Sequence, residues 1–330
     1  MKYRNLGRSG LKVSEISLGS WISFHDANDM DLPESIIDEA YRLGINFFDT
    51  ANGYNGGNAE IILGKALAKY PRESFVIATK VYWPTGEGPN DRGLSRKHIY
   101  SQVEESIKKL RVEYIDVYYC HWYDSGTPLE ETLRALDDLV RRGTIRYYGV
   151  SNWTAAQIAY GLRVVDKYKL YDISANQPSY SILDRYIENE TLPLCEREGI
   201  GQVVYSPLAQ GALTGKYSYS GAAPQNSRAN NPRAGGAISI KDFTAKPVLR
   251  CVDKLKAVAE ESGLSLAEMS LAFVLQKKIV ASALTGASNP EQVAANVKAS
   301  GVELSGDTLS AIDRVLEENP YSLKHNIVPW

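Results

Sequence analysis

Asp49, Tyr54, Lys80 and His121 bring together a carboxylate, a phenol, an ammonium and an imidazole, the parts of a proton-transfer site. A phenol with an ordinary pKa of about 10 is a poor acid–base catalyst at neutral pH. A neighbouring ammonium favours the phenolate, and a carboxylate beside that ammonium fixes its position and keeps it charged. Each of the four closes, or lies just past, an apolar run. Asp49 and Tyr54 follow GINFF, Lys80 closes SFVIAT, and His121 closes YIDVYYC. Taken singly each has a plain structural explanation: Asp49 as a helix cap, Tyr54 as one of 21 tyrosines, Lys80 as a surface lysine, His121 as a satisfied buried histidine. Their joint placement at consecutive strand ends argues for chemistry on one rim.

The elements that must position them alternate along the chain. Apolar runs bounded by turn residues read as strands: SEISLGS, INFFDTA, SFVIATK, YIDVYYCH, YYGVSN, ISANQPS, GQVVYSP and ASALTGA. Helical periods fall near residues 33–43, 58–69, 97–110, 129–142, 154–167 and 185–198. Two more, at 247–262 and 266–277, separate the seventh strand from the eighth, and two, near 290–300 and 306–317, follow it. Ser151-Asn152 and Ser265 stand where helix caps are wanted, and Ser265 with Glu268 forms a capping box. Gly44 and Gly199 close helices as C′ glycines do. Regular β–α alternation implies a parallel sheet, and eight units imply closure as a (β/α)₈ TIM barrel, an α/β fold in a single domain over residues 1–330. The first residues, KYRNLGRSGLKVS, predict a β-hairpin plugging the barrel from below. Residues 216–246, rich in Ser, Asn, Gly, Pro and Ala, read as a long loop on the active-site face, too polar for core.

Bulk properties narrow the function. The chain has 330 residues, 44% of them hydrophobic, and a net charge of −2. That gives ample core and no basic field for nucleic acid or anionic membrane. The start MKYRNLGRSG lacks a signal peptide's apolar stretch, and no apolar run reaches transmembrane length. Cys120, Cys195 and Cys251 are widely spaced without a CxxC, as in reduced thiols of a cytoplasmic protein, and His25, His98, His121 and His325 are too scattered for a metal site.

A Gly-x-Gly-x-x-Gly turn after the first strand is missing, so a Rossmann nucleotide site is unsupported. Three other strand ends could hold a nucleotide. GVSN (149–152) offers hydrogen-bonding side chains, YSPLAQGALTGK (205–216) an aromatic, small residues and a lysine, and TGASNPEQVAAN (285–296) a helix N-terminus for an anion. Each alone could be a cap or a turn. Trp21, Trp83 and Trp122 also fall just past strand ends, where they would either wall a pocket or pack helices on the barrel.

On these motifs the chain resembles the aldo-keto reductase superfamily over essentially its whole length. FDTANGY, the strand-ending ATK and histidine, GVSN, NQPSYS, YSPLAQGALTGKY and GASNPEQ carry the resemblance. GLSRKHI (93–99), TPLEET and NPYS are similar to the branch of voltage-gated potassium channel β-subunits and related bacterial aldehyde reductases active on glyceraldehyde 3-phosphate and other aldehydes. The resemblance implies NADPH-dependent reduction of a small carbonyl substrate, with Tyr54 as proton donor, Lys80 and Asp49 depressing its pKa, and His121 orienting the carbonyl. It implies that Trp21, Ser151, Asn152, Gln177 and Tyr205 hold the nicotinamide end. Ser206, Leu208, Gly211, Lys216 and Arg228 would line the phosphates, and Gly286, Ser288, Gln292 and Asn296 the adenosine end. It also implies a homo-oligomer, tetramer or larger. Channel β-subunits carry Asn where this chain has His121, which favours a competent reductase over a regulatory subunit. Ala295 replaces a Glu that reaches the adenine, and Gln292 replaces an Arg that meets the 2′-phosphate. NADPH preference then leans on Lys216 and Arg228, with NADH as a weaker alternative. A phosphorylated substrate would need a second anion site, from Arg92, Arg96 or Lys97.

Overall fold

The computed structural model describes residues 1–21, 24–25, 27–225, 227–230 and 240–323. Tyr3–Asn5 (β1) and Lys12–Ser14 (β2) pair antiparallel as the expected hairpin. Eight parallel strands then close into a barrel: Ile16–Gly19 (β3), Phe47–Asp49 (β4), Val76–Val81 (β5), Ile115–Cys120 (β6), Ile145–Ser151 (β7), Ala175–Gln177 (β8), Gly201–Tyr205 (β9) and Val280–Thr285 (β10). β10 closes the ring by pairing with both β9 and β3. Both faces of such strands are covered, which is why β5 and β6 are buried at every position and read as continuous apolar runs.

Helices follow each strand. They are Asp31–Arg42 (α1), Asn58–Leu67 (α2), Arg96–Leu110 (α3), Leu129–Arg141 (α4), Ala155–Tyr168 (α5) and Thr191–Glu198 (α6), then Lys246–Glu261 (α7), Leu266–Leu275 (α8), Pro290–Val297 (α9) and Gly306–Glu318 (α10). α7 and α8 both intervene between β9 and β10, and α10 packs on α7 outside the ring. The Ser265–Glu268 capping box is present, and Gly44 and Gly199 take the positive φ of helix ends. Two local expectations need correction. α5 is capped by Thr154 in a box with Gln157, not by Ser151-Asn152. The helix expected over 185–198 begins only at Thr191, after a separate turn at Tyr186–Glu188. Pro193 explains the break, since proline is tolerated in a first turn but not in a helix interior.

The barrel interior is filled from below. Leu6 and Val13 of the hairpin join Phe47, Val76, Val117 and Tyr119 in one buried cluster. Gly7 lets the hairpin turn touch the barrel floor: a Cβ there would lie 2.3 Å from Gly199 O. Arg4 and Glu15 clamp the plug. Arg4 donates to Glu15 (2.8 Å) and to the carbonyls of Leu275 (2.9 Å) and Val280 (2.8 Å). The other Glu15 oxygen accepts from Ser300 Oγ and Gly301 N, both at 2.9 Å.

The long loop after β9 is less polar than its composition implied. Tyr217 and Ile240 are buried and pack with Leu249 of α7 and with Phe243, a small core of the loop's own. Residues 226 and 231–239 of this loop, and His325, lie outside the described residues.

Candidate active site

Parallel register brings the ends of the strands into line. Gly19 pairs with Asp49, Lys80 with Tyr119, Cys120 with Val150, and Ser151 with Gln177. Asp49, Lys80 and His121 therefore reach the C-terminal rim from neighbouring strands, and a turn after β4 adds Tyr54. The four converge. The Lys80 ammonium makes a buried ion pair with Asp49 and donates also to Thr50 O at 2.7 Å. It lies 5.0 Å from the centre of the Tyr54 ring. The Tyr54 and His121 rings meet edge-to-face with centroids 5.6 Å apart.

Protonation follows from burial. It pushes the Asp49 carboxyl up and the Lys80 ammonium down, while their attraction opposes both movements. Burial, and then the Asp49 charge, hold the Tyr54 phenol well above its ordinary range. The expected depression by Lys80 does not prevail, because burial is the largest influence on the phenol. Burial and the Lys80 charge push His121 well below the ordinary imidazole value. At neutral pH the rim thus presents a protonated phenol beside a neutral imidazole, and His121 Nδ1 is buried without a hydrogen-bond partner.

The tryptophans wall this point. Trp21 lies 6.4 Å from the Tyr54 ring, Trp83 lies 6.2 Å from His121, and Trp122 packs 5.9 Å from Trp83. Trp21 and Trp83 are exposed at this rim. Behind Trp83 a cleft of about 400 Å³ is lined by Tyr82, Arg92, Ser95, Asp124 and Thr127. Arg92 is the cation in that cleft, whereas Arg96 is drawn to Asp138 at 3.7 Å.

The residues expected around the nicotinamide are knitted together beside the tetrad. Tyr205 donates to Asn152 Oδ1 at 2.8 Å, and Asn152 donates to Ser151 Oγ at 3.0 Å and His121 O at 3.3 Å. Ser151 donates to Gln177 O at 2.8 Å. Gln177 turns its amide onto the second Asp49 oxygen, also at 2.8 Å, a contact the sequence reading missed. Beyond Tyr205 the backbone bends sharply: Ser206, Ala209, Gln210 and Gly211 all have positive φ. Ala209, Gln210 and Gly211 are consecutive left-handed residues, and Ala209 N and Gly211 N bond Ser206 O and Leu208 O within the bend, both at 2.8 Å. Arg228 donates to Gln210, which bonds Ser206 Oγ, and Lys216 lies over Gly211. Leu208 is half-buried at the same bend. At the end of β10, Gly286 and Ser288 are exposed, Ser288 N donates to Gln292 Oε1 at 2.9 Å, and Asn296 is buried one turn on. The polar side chains, the two cations Lys216 and Arg228 and the open Gly286 share this rim and are chemically suited to a phosphorylated cofactor.

Comparison with known proteins places the chain in a family. The model of the Aldo/keto reductase family matches residues 15–317. The chain belongs to that family. A protein of Arabidopsis thaliana named as a probable voltage-gated potassium channel subunit beta is 40% identical over 328 residues, covering 97% of this chain and 98% of its own length. An Oryza sativa subsp. japonica protein of the same name is 39% identical over 97% of this chain and 98% of its own length. A putative one from Schizosaccharomyces pombe is 37% identical over 98% and 95%. Among the described residues no helix is long and apolar enough to cross a membrane, and no group of His, Cys, Asp and Glu could hold a metal ion.

Proposed function

We propose that this family member reduces an aldehyde or ketone to an alcohol with NADPH. One observation carries the reading: a buried Asp49–Lys80 pair under a phenol that burial keeps protonated and that faces a neutral histidine. NADPH, when bound, supplies the hydride to the carbonyl carbon. Tyr54 then gives its proton to the carbonyl oxygen, and Lys80 stabilises the phenolate left behind. His121, neutral, orients the carbonyl by a hydrogen bond. Gln177 and Thr50 hold the Asp49–Lys80 pair so that it does not follow the moving proton. Ser151, Asn152 and Tyr205 would hold the carboxamide end, the 206–211 bend with Lys216 and Arg228 the phosphates, and Gly286, Ser288, Gln292 and Asn296 the adenosine. Trp21, Trp83 and Trp122 exclude water and favour substrates with a flat apolar body. A Schiff base on Lys80 is disfavoured, because its nitrogen is buried and already committed to Asp49 and Thr50 O.

The relatives are named as potassium channel β-subunits, and the second reading is a nucleotide-binding regulatory subunit of that type with little turnover. Steady-state oxidation of NADPH with 4-nitrobenzaldehyde separates the two. Saturable turnover that depends on the aldehyde supports the reductase. Tight NADPH binding without turnover on any aldehyde or ketone offered supports the regulatory subunit.

A further inference from the structure

Tyr54 stands at the start of an unusual turn. Asn55, Gly56 and Gly57 follow it with φ of 50°, 63° and 91°, three consecutive residues in the left-handed region. Glycine takes that region freely, and asparagine is among the side chains that tolerate it. A third glycine would make the turn equally well, so the question is what the Asn55 side chain adds. Its amide nitrogen donates to Phe24 O at 2.6 Å and to Trp21 O at 3.3 Å. Carbonyl oxygens only accept, so the nitrogen end of the amide must face them, and both of its N–H groups are used. Those two carbonyls belong to the segment after β3, which carries Trp21 against the Tyr54 ring and buries Phe24 completely. The Asn55 main-chain carbonyl separately accepts from Asn58 Nδ2 at 3.0 Å, which ties the turn to the start of α2.

We infer that Asn55 is a positioning residue that clamps the Trp21 segment to the Tyr54 turn, setting the distance between the proton donor and the aromatic wall and hence which carbonyl substrates fit. The inference rests on the proposed reductase reading for its substrate consequence, but the clamp itself does not. Removing two neutral hydrogen bonds while keeping the backbone should loosen the wall and leave the barrel intact.

The test uses the full chain with Asn55→Gly, which eases the backbone and deletes the clamp, and Asn55→Asp, which keeps the shape but turns oxygen toward the two carbonyls. Acrylamide quenching of tryptophan fluorescence, with Trp21→Phe identifying the Trp21 contribution, should show Trp21 more accessible in both variants. kcat on 4-nitrobenzaldehyde should fall about tenfold and on propanal markedly less, the size expected for two neutral hydrogen bonds. Wild-type quenching in both variants would overturn the clamp. Equal losses on both aldehydes, with a lowered melting temperature, would make Asn55 a turn-forming residue only. If the wild-type protein reduces neither aldehyde, the reductase reading fails, and the quenching contrast still decides the clamp.

Discussion

The two ends of the barrel are built on opposite principles. At the bottom, the hairpin plug leaves nothing to spare: both Glu15 oxygens are bonded, Arg4 donates to the carbonyls of Leu275 at the end of α8 and Val280 of β10, and Leu6 and Val13 fill the floor. At the top the structure keeps strain and unmet hydrogen bonds. Five of the seven described non-glycine residues with positive φ, Asn55, Asn152, Ser206, Ala209 and Gln210, follow barrel strands there, and the other two end helices. Ser20 Oγ, Thr50 Oγ1 and His121 Nδ1 are buried there without a partner, and at the other end, outside the plug, so is Arg72 Nε. A fold with a large core can carry such costs, of order 1–3 kcal/mol for each strained residue, only where surrounding structure holds them in place. In barrels of this kind the C-terminal face is where chemistry is done and the other face is where stability is kept.

Substitutions should separate the two ends. Tyr54→Phe should cut kcat by about 10²–10⁴-fold with the melting temperature and NADPH affinity nearly unchanged, since on the proposed mechanism it removes only the proton donor. Steady-state kinetics with calorimetry checks this, and a loss below threefold removes Tyr54 from that role. Glu15→Ala should do the reverse. It strands Arg4 beside the barrel wall and frees Ser300 and Gly301, at a cost of about 2–4 kcal/mol, below a fully buried pair because Arg4 is partly exposed. Denaturant unfolding should show the loss, with kcat unchanged. A fall in kcat without lost stability would dissolve the contrast.

Smaller effects sharpen it. Arg228→Ala should weaken NADPH by about ten- to a hundredfold and NADH far less, as expected for loss of a charge-assisted contact to the 2′-phosphate. Fluorescence titration with both cofactors decides, and equal losses would place Arg228 on the loop fold through Gln210. Least of all should be the response to pH. The phenol is raised and must be protonated to act, so reduction fades only as pH climbs through that raised value. The imidazole is lowered and stays neutral. The kcat/KM profile should therefore be flat from about pH 6 to pH 9, and a break near the ordinary histidine value of about 6.5 that disappears in His121→Asn would contradict it.

The fold was legible because a parallel barrel repeats its signals: doubly buried strands read as apolar runs, and turn residues separate them from helical periods. The convergence of Asp49, Tyr54, Lys80 and His121 was legible because strand ends are where such signals stop. What escaped depended on spatial neighbours. Gln177 was expected on the cofactor, and its bond to Asp49 crosses 128 residues of sequence. The Asn55 amide meets carbonyls 31 and 34 residues away. The protonated state of Tyr54 turned on burial, which composition does not show. Two misses had visible cues: Thr154 and Gln157 have the capping-box spacing, and Pro193 argued against a helix through 185–198.

The central claim is that a carbonyl held at the strained rim takes hydride from NADPH and its proton from the phenol. A single turnover with NADPH deuterated at the transferable position of the nicotinamide, and 4-nitrobenzaldehyde in excess, tests it most directly. Mass spectrometry of the product should show one deuterium on the alcohol carbon for each cofactor oxidised, and the yield should collapse in Tyr54→Phe. Bound cofactor recovered unoxidised, with no deuterated alcohol, would contradict the account.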